Sequence, residues 1–398
     1  MENVGISKLD LKRQNRRQIL RLLRNAGPTS RIDIAHTIHI TKAAVTIITN
    51  EMIREGILQE IGEQAPTGGK VPRGRKKILL DYNPTWRLVL GVSVQGEWLD
   101  VGLCTLRGET VEHHALMIDP STTFQKLVQM VGEVYHDLAY KNDLKPEMIL
   151  ALGVTVDPAY RALCRVETKG DEEDYGALRE ELEKIVPAPI VFGRLTDGLA
   201  TAESDFRPGP EKAPLHQVIL QMGGSFQSTV TVGQEYYRGG SGRSCNFGDL
   251  PLGDGARRDK ARDRLSREAV SGQIKALHTQ KLSPALDALA MDNPQRAEWT
   301  FCRSGFTPED PAVRQYFERI REDYLAILMG VLTFLDPEQL VVFPDGCVME
   351  ALAQAMRMAE TRAGVPVRLS RFDETNLYLT GAALAVREYF TNRGGYIG

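Results

Sequence analysis

Five cations crowd the stretch TGGKVPRGRKKILLDYNP, Thr67 to Pro84: Lys70, Arg73, Arg75, Lys76 and Lys77. Cations at that density, in a loop broken by glycines and a proline, suit one chemistry, the binding of a polyanion. A solvated connector is the plain alternative. Upstream, the run TKAAVTIITN offers a second set, Lys42, Ala43 and Thr46. Lysine donates to phosphate or guanine, threonine bonds a base or phosphate, and alanine lies against a thymine methyl. Whether the two sets act together depends on the elements that carry them.

Leu11 to Arg24 reads as an amphipathic helix, with Leu11, Ile19, Leu20, Leu22 and Leu23 on its apolar side and Lys and Arg elsewhere. Gly27 and Pro28 end it. Thr29 or Ser30 caps a short second helix, RIDIAHTI, with Ile34, Ala35 and Ile38 inward. After a turn at His39–Ile40, Thr41 caps a third, KAAVTIITNEMIREG, which Gly56 stops. Val45, Ile48, Met52 and Ile53 fall on its inner side; Lys42, Ala43, Thr46, Ile47 and Thr49 face outward. Two short helices across a tight turn make a helix-turn-helix, whose second member enters the major groove. A three-helix packing module that reads nothing is the alternative. Ile57–Ile61 and Ile78–Tyr82 alternate as two paired strands, so the cationic loop becomes the wing of a winged helix. Within it, Pro72-Arg73-Gly74-Arg75-Lys76 resembles the core of an AT-hook, although Lys76 stands where a proline usually follows. Glycine lets the backbone approach the groove floor, and arginines follow the negative potential there. Arg73 and Arg75 are therefore expected in an A·T-rich minor groove, with Lys70, Lys76 and Lys77 on phosphates.

The charge distribution agrees. Residues 1–80 hold fifteen Lys and Arg against seven Asp and Glu, while the whole chain of 398 residues has a formal net charge of −3. A basic segment is thus joined to an acidic body. No run of about 18 uncharged apolar residues exists, so no membrane partner is expected. The first residues, MENVGISKLDLKRQNRRQ, lack the apolar region of a signal peptide. Cys104, Cys164, Cys245, Cys302 and Cys347 form no C-x-x-C pair, so no disulfide framework or zinc knuckle is readable. A cytoplasmic setting follows.

From Arg87 on, strands (RLVLGVSVQ, WLDVGLCTL, MILALGVTV, PIVFG, VILQMGG, QLVVFPDG) alternate with helices, the pattern of an α/β body with two sheets. The order of helix-turn-helix, GGK…GRKKILLDYNP, LGVSV, TDGLATAE, GQEYYRGGSG, FLDPEQLVVF and TGAALAV resembles the ROK family of repressors, open reading frames and sugar kinases. That resemblance implies a winged helix-turn-helix over residues 1–83 and a two-lobed, actin-like (ribonuclease-H-like) domain over 84–398. Lobe one would span about 84–195 plus 375–398, and lobe two about 196–374. It also implies a homodimer or homotetramer that regulates transcription, as a repressor, in response to a sugar or sugar phosphate. Two recognition helices would read a partly palindromic double-stranded site with A·T-rich flanks.

Departures from the family's kinase pattern argue against the alternative, ATP-dependent phosphorylation of a hexose. The family's first phosphate loop, Asp-x-Gly-x-Thr, is matched by Ser93-Val94-Gln95-Gly96-Glu97, where Glu97 repels phosphate. The second, Gly-Thr-Gly-x-Gly, is matched by Met222-Gly223-Gly224-Ser225-Phe226, where Phe226 and Gln227 are expected to fill nucleotide space. The family's Asn-Asp pair, whose Asp is the catalytic base, aligns with Thr196-Asp197; without a phosphate donor, Asp197 is expected to act as a helix cap. Its Glu-x-Gly-His aligns with Asn246-Phe247-Gly248-Asp249, and no cysteine follows to complete a zinc site. No catalysis, metal or ATP is therefore expected. Thr196, Asp197 and Asn246 remain as polyol ligands in a cleft, unless the body serves for dimerisation alone.

Overall fold

The computed structural model describes residues 8–63, 77–169, 172–207, 213–240, 246–253, 259–279, 311–346 and 348–396. Its first three helices are α1 (Lys8–Ala26), α2 (Arg31–Thr37) and α3 (Lys42–Arg54). Ser30 caps α2 by accepting from the Asp33 N–H, and Thr41 caps α3 by accepting from the Ala44 N–H. Between α2 and α3 the chain turns at His39, whose φ of 56° lies in the left-handed region. A β-branched residue fits poorly there. His39→Val is expected to lower stability by about 1–2 kcal/mol, and His39→Gly to leave it nearly unchanged, both read from thermal melts. Strands β1 (Leu58–Glu63) and β2 (Ile78–Tyr82) pair antiparallel with a bulge between Glu60 and Gly62, and Thr29–Ser30 adds a short third strand against β2.

Two expectations about the helices need correction. Leu11 is 52% exposed, not part of the inner stripe, while Arg16 is fully buried among Ile19, Leu20 and Leu23. The body covers α1 only from its second turn onward, and a charged residue lies inside because its partners are there. Thr49, expected outward, is buried, and its hydroxyl accepts from Arg31 Nε at 3.1 Å.

Two five-stranded sheets form the body. The first contains β3 (Leu88–Gln95), β4 (Trp98–Cys104), β5 (Thr110–Met117), β6 (Ile149–Val156) and β7 (Ile190–Arg194), in the order β5-β4-β3-β6-β7. The second contains β8 (Gln217–Gly223), β9 (Ser228–Val232), β10 (Glu235–Tyr237), β11 (Gln339–Asp345) and β12 (Val367–Leu369), in the order β10-β9-β8-β11-β12. Each sheet is thus an antiparallel meander extended by two parallel strands, the same order twice. Helices α4 (Phe124–Lys141) and α5 (Gly176–Glu183) cover the first sheet with Leu127, Val131, Leu138, Leu178 and Leu182. Helices α9 (Pro311–Leu335) and α10 (Met349–Ala363) supply Ile320, Leu328, Leu352 and Ala355 to the second core; the short α7 (Ala261–Leu265) and α8 (Arg267–Thr279) also join it.

Helices α6 (Leu195–Asp205) and α11 (Tyr378–Ala385) are buried along their whole lengths. Small residues let α11 lie directly on the first sheet: a Cβ added to Gly153 would stand 1.8 Å from the Gly381 carbonyl oxygen. After α11 the chain continues through Val386–Asn392 and returns beneath the winged helix, where Phe390 packs against Tyr82 and Trp86. One apolar core therefore runs from α1 through the Tyr82–Trp86 segment into α6 and α11.

Candidate nucleic-acid interface and ligand cleft

Because Val45, Ile48 and Met52 anchor α3 inward, the opposite face is open: Lys42, Ala43, Thr46, Ile47, Asn50 and Arg54 are exposed. The Thr46 hydroxyl donates to the Lys42 carbonyl at 2.8 Å, which leaves its oxygen as an acceptor. Lys77 sits beside Asp33 at the start of α2, with Nζ 2.8 Å from Oδ1, and this bond holds the Asp33 carboxyl below its ordinary value. Lys70, Arg73, Arg75 and Lys76 lie outside the described residues.

Behind the reading face, α1 is fastened to the body by its arginines. Arg16 donates through Nε to the Gly394 carbonyl at 2.9 Å and through Nη1 to Glu55 Oε1 at 3.1 Å, and its guanidinium lies 4.1 Å from the Tyr396 ring centre. Arg24 reaches Asp205 Oδ2 at 3.0 Å, and Arg387 grips the same carboxylate through Nε at 3.0 Å and Nη2 at 2.8 Å. Burial alone would raise the Asp205 carboxyl; the two guanidiniums overcome it and hold the group below its ordinary value. Sequence reading missed all of these, since an arginine in an amphipathic helix looks like a solvated one.

At the other end of α6, Asp197 does not cap the helix; that position belongs to Arg194. Its buried carboxylate lies 3.2 Å from Arg194 Nε and 3.0 Å from Arg238 Nη2, and accepts from the Thr229 hydroxyl at 2.6 Å. The Thr196 hydroxyl is 3.0 Å from that of Thr229, and Tyr236 donates to the Asp197 carbonyl at 3.0 Å. Thr196 and Asp197 are thus brought together. Asn246 stands on an exposed strap instead, donating to Asp249 at 2.7 Å and accepting from Arg262 at 2.7 Å. An asparagine, an aspartate and an arginine make no zinc set. Among the described residues, the one grouping of metal-type ligands is Glu112, His114 and Asp137, and the Lys141 ammonium already bridges its carboxylates at 3.2 and 2.7 Å.

A cavity of about 420 Å³ opens between the lobes, walled by Gly96, Asp157, Tyr160, Ser225, Arg267 and Asp345 among others. Gln221, fully buried, donates through Nε2 to Asp157 at 2.7 Å and to Asp345 at 3.3 Å, while its Oε1 has no partner. Ser225 also bonds Asp157. Asp345 pairs with Arg267 at 3.0 Å, and burial pushes its carboxyl above the ordinary value. Its Oδ2 lies so close to the Gly224 backbone that a Cβ there would stand 1.9 Å away. The chain's own carboxylate thus crowds the glycine loop. Phe226, expected to obstruct that loop, turns its ring into the second core and is 1% exposed. Asp157 and Asp345 could have been found in the sequence: each follows an apolar run at the carboxyl end of a parallel strand, where α/β ligands gather.

A winged helix-turn-helix seated on a body of two like-ordered sheets has counterparts among known proteins. Residues 12–59 match the family described as winged helix-turn-helix DNA-binding. A putative xylose repressor of Caldicellulosiruptor sp. is 21% identical over 247 residues, 61% of this chain and 59% of its own length. The DNA-binding transcriptional dual regulator NagC of Escherichia coli is 41% identical over 66 residues, 16% of each chain. This chain therefore spans less than two thirds of the curated relatives it matches. A crystal structure of a ROK family transcriptional regulator, described as a homolog of the E. coli MLC protein, superposes with a TM-score of 0.71, 16% identity and 97% coverage of both chains. A ROK family glucokinase from Streptomyces griseus covers 76% of this chain at TM-score 0.56 and 17% identity. The chain thus carries a winged helix-turn-helix at its N-terminal side and shares the fold of the ROK structures.

Proposed function

We propose that the protein is a sequence-specific, DNA-binding transcriptional regulator, a repressor, whose two-lobed body senses a sugar or sugar phosphate. The observation that carries this reading is the pairing of an open α3 face with a body locked to α1 through buried ion pairs. Relatives named as repressors of xylose and N-acetylglucosamine support it. So do two details of the body: Asp345 crowds the phosphate loop, and the Asp197 carboxylate is already held by Arg194, Arg238 and the Thr229 hydroxyl. The body then works without ATP or zinc, and not as an enzyme. Two copies, as a dimer or tetramer, read the halves of a partly palindromic site in the cytoplasm.

Helix α6 lays out the route from cleft to DNA. Asp197 occupies its first turn and Asp205 its last, about 12 Å apart at 1.5 Å per residue. A ligand that displaces Arg194 or Arg238 from Asp197 moves α6, and with it the carboxylate that holds Arg24 of α1. Footprinting across the genome tests the reading. It should return a few partly palindromic sites; a featureless, salt-sensitive spread would overturn the specific regulator in favour of a non-specific A·T-rich binder.

A further inference from the structure

On α3 the side chains of Ala43, Ile47 and Asn50 follow at spacings of four and three, which makes them one stripe on the outward face. Ile47 is 68% exposed, although the helix buries Val45, Ile48 and Met52. A lone exposed apolar side chain is ordinary on a protein surface. Its neighbour on the stripe is not ordinary. Asn50 Oδ1 accepts from Arg31 Nη2 at 3.1 Å, and the same guanidinium donates through Nε to Thr49 at 3.1 Å and pairs through Nη1 with Glu60 at 3.0 Å. Arg31 is thereby tied to α3 and to the wing strand at once. Its donor also settles which way the carboxamide points: the oxygen faces the guanidinium, so the amide N–H groups face away from it.

We propose that Ile47 and Asn50 determine base specificity, Ile47 by packing on a thymine methyl and Asn50 by donating to an acceptor one base pair along, with Arg31 as the positioning residue. This rests on the reading that α3 enters the major groove. The chemistry fits what the groove offers, because thymine alone carries a methyl there and the purine N7, guanine O6 and thymine O4 are acceptors. The geometry fits too. Ile47 and Asn50 are separated by about 4.5 Å along the helix axis, near the ~3.4 Å step between base pairs.

The test uses the full chain. Sites are selected from random duplex DNA, and each thymine of the selected consensus is then replaced singly by uracil, which removes only the methyl group. At one position uracil should weaken the wild type about fourfold, the worth of one buried methyl group. Ile47→Ala should bind that thymine site about as weakly as the wild type binds its uracil form, and should respond no further to the replacement. Asn50→Ala and Arg31→Ala should both relax preference at the neighbouring base pair while the slope of log affinity against log salt stays unchanged; a lost phosphate contact would lower that slope by about one. Melting curves check that each variant is folded. A consensus whose uracil forms never distinguish wild type from Ile47→Ala overturns the inference alone, as does equal weakening of all sequences by Asn50→Ala. A selection that returns no consensus overturns the specific-regulator reading and this inference with it.

Discussion

Asp205→Ala is expected to cost about 3–5 kcal/mol of stability, because it leaves two buried guanidiniums facing each other without a counter-charge. Arg24 and Arg387 are 9% and 15% exposed, so neither reaches water easily once the carboxylate is gone. Urea titration at neutral pH reads this loss directly. Acid adds a second signature. The folded Asp205 carboxyl lies below its ordinary value of 3.8, so its contribution is complete above that pH and disappears as pH falls through the lower folded-state value. The wild type should therefore lose a limb of stability below pH 3.8 that the variant lacks. The functional outcome separates two routes of signalling. If α6 carries the message, the folded variant should retain DNA affinity within a few-fold while losing release by the effector. Release equal to wild type would exclude the α6 route. Arg24→Met, which removes one of the two cations and keeps apolar bulk, should uncouple the domains with a smaller stability loss.

Arg16→Ala should be the next most damaging change, at about 3 kcal/mol, from a stranded Gly394 carbonyl and the volume vacated beside Ile19 and Leu20. Arg16→Met restores most of the volume but not the hydrogen bonds, so comparing the two variants by denaturation separates packing from polar contributions. Glu55, the bidentate partner of Arg16, closes the C-terminal end of α3. Loss of that tether should weaken binding to the selected site in a gel-shift titration. An unchanged affinity would mean that Gly56 and Trp86, whose indole donates to the Glu55 carbonyl at 3.0 Å, are enough to hold the reading helix.

The elements that carry the function were readable because their signals are local. Ser30 and Thr41 announce α2 and α3 within four residues, Gly27 and Gly56 follow the ends of α1 and α3, and the spacing of Val45, Ile48 and Met52 gives the inner face of α3. Thr196 and Asp197 came instead from the family resemblance, and the structure sets them as neighbours at the head of one helix. What escaped is the part written in long-range pairs. Arg16 looks solvated until Gly394 is brought to it from 378 residues away, and Arg24 until Asp205 arrives from 181 residues away. Asn246 failed in the opposite sense: alignment set it beside the cleft, but local bonds to Asp249 and Arg262 hold it on an exposed strap. The polar wall of Asp157, Gln221 and Asp345 is assembled from three strands, and only the position of each aspartate behind an apolar run hinted at it.

The contact between Arg16 and the Gly394–Tyr396 segment also orders events during synthesis. The reading domain leaves the ribosome before the body, and its helices are local enough to fold at once. Its seat is finished only when Phe390 and Gly394 have been made, hundreds of residues later. A polypeptide halted before that point carries an open α3 face but leaves Arg16 without its carbonyl and Tyr82 without its ring partner. Such a fragment would hold the α3 surface without the firm attachment through which, in the proposed function, the body acts on it.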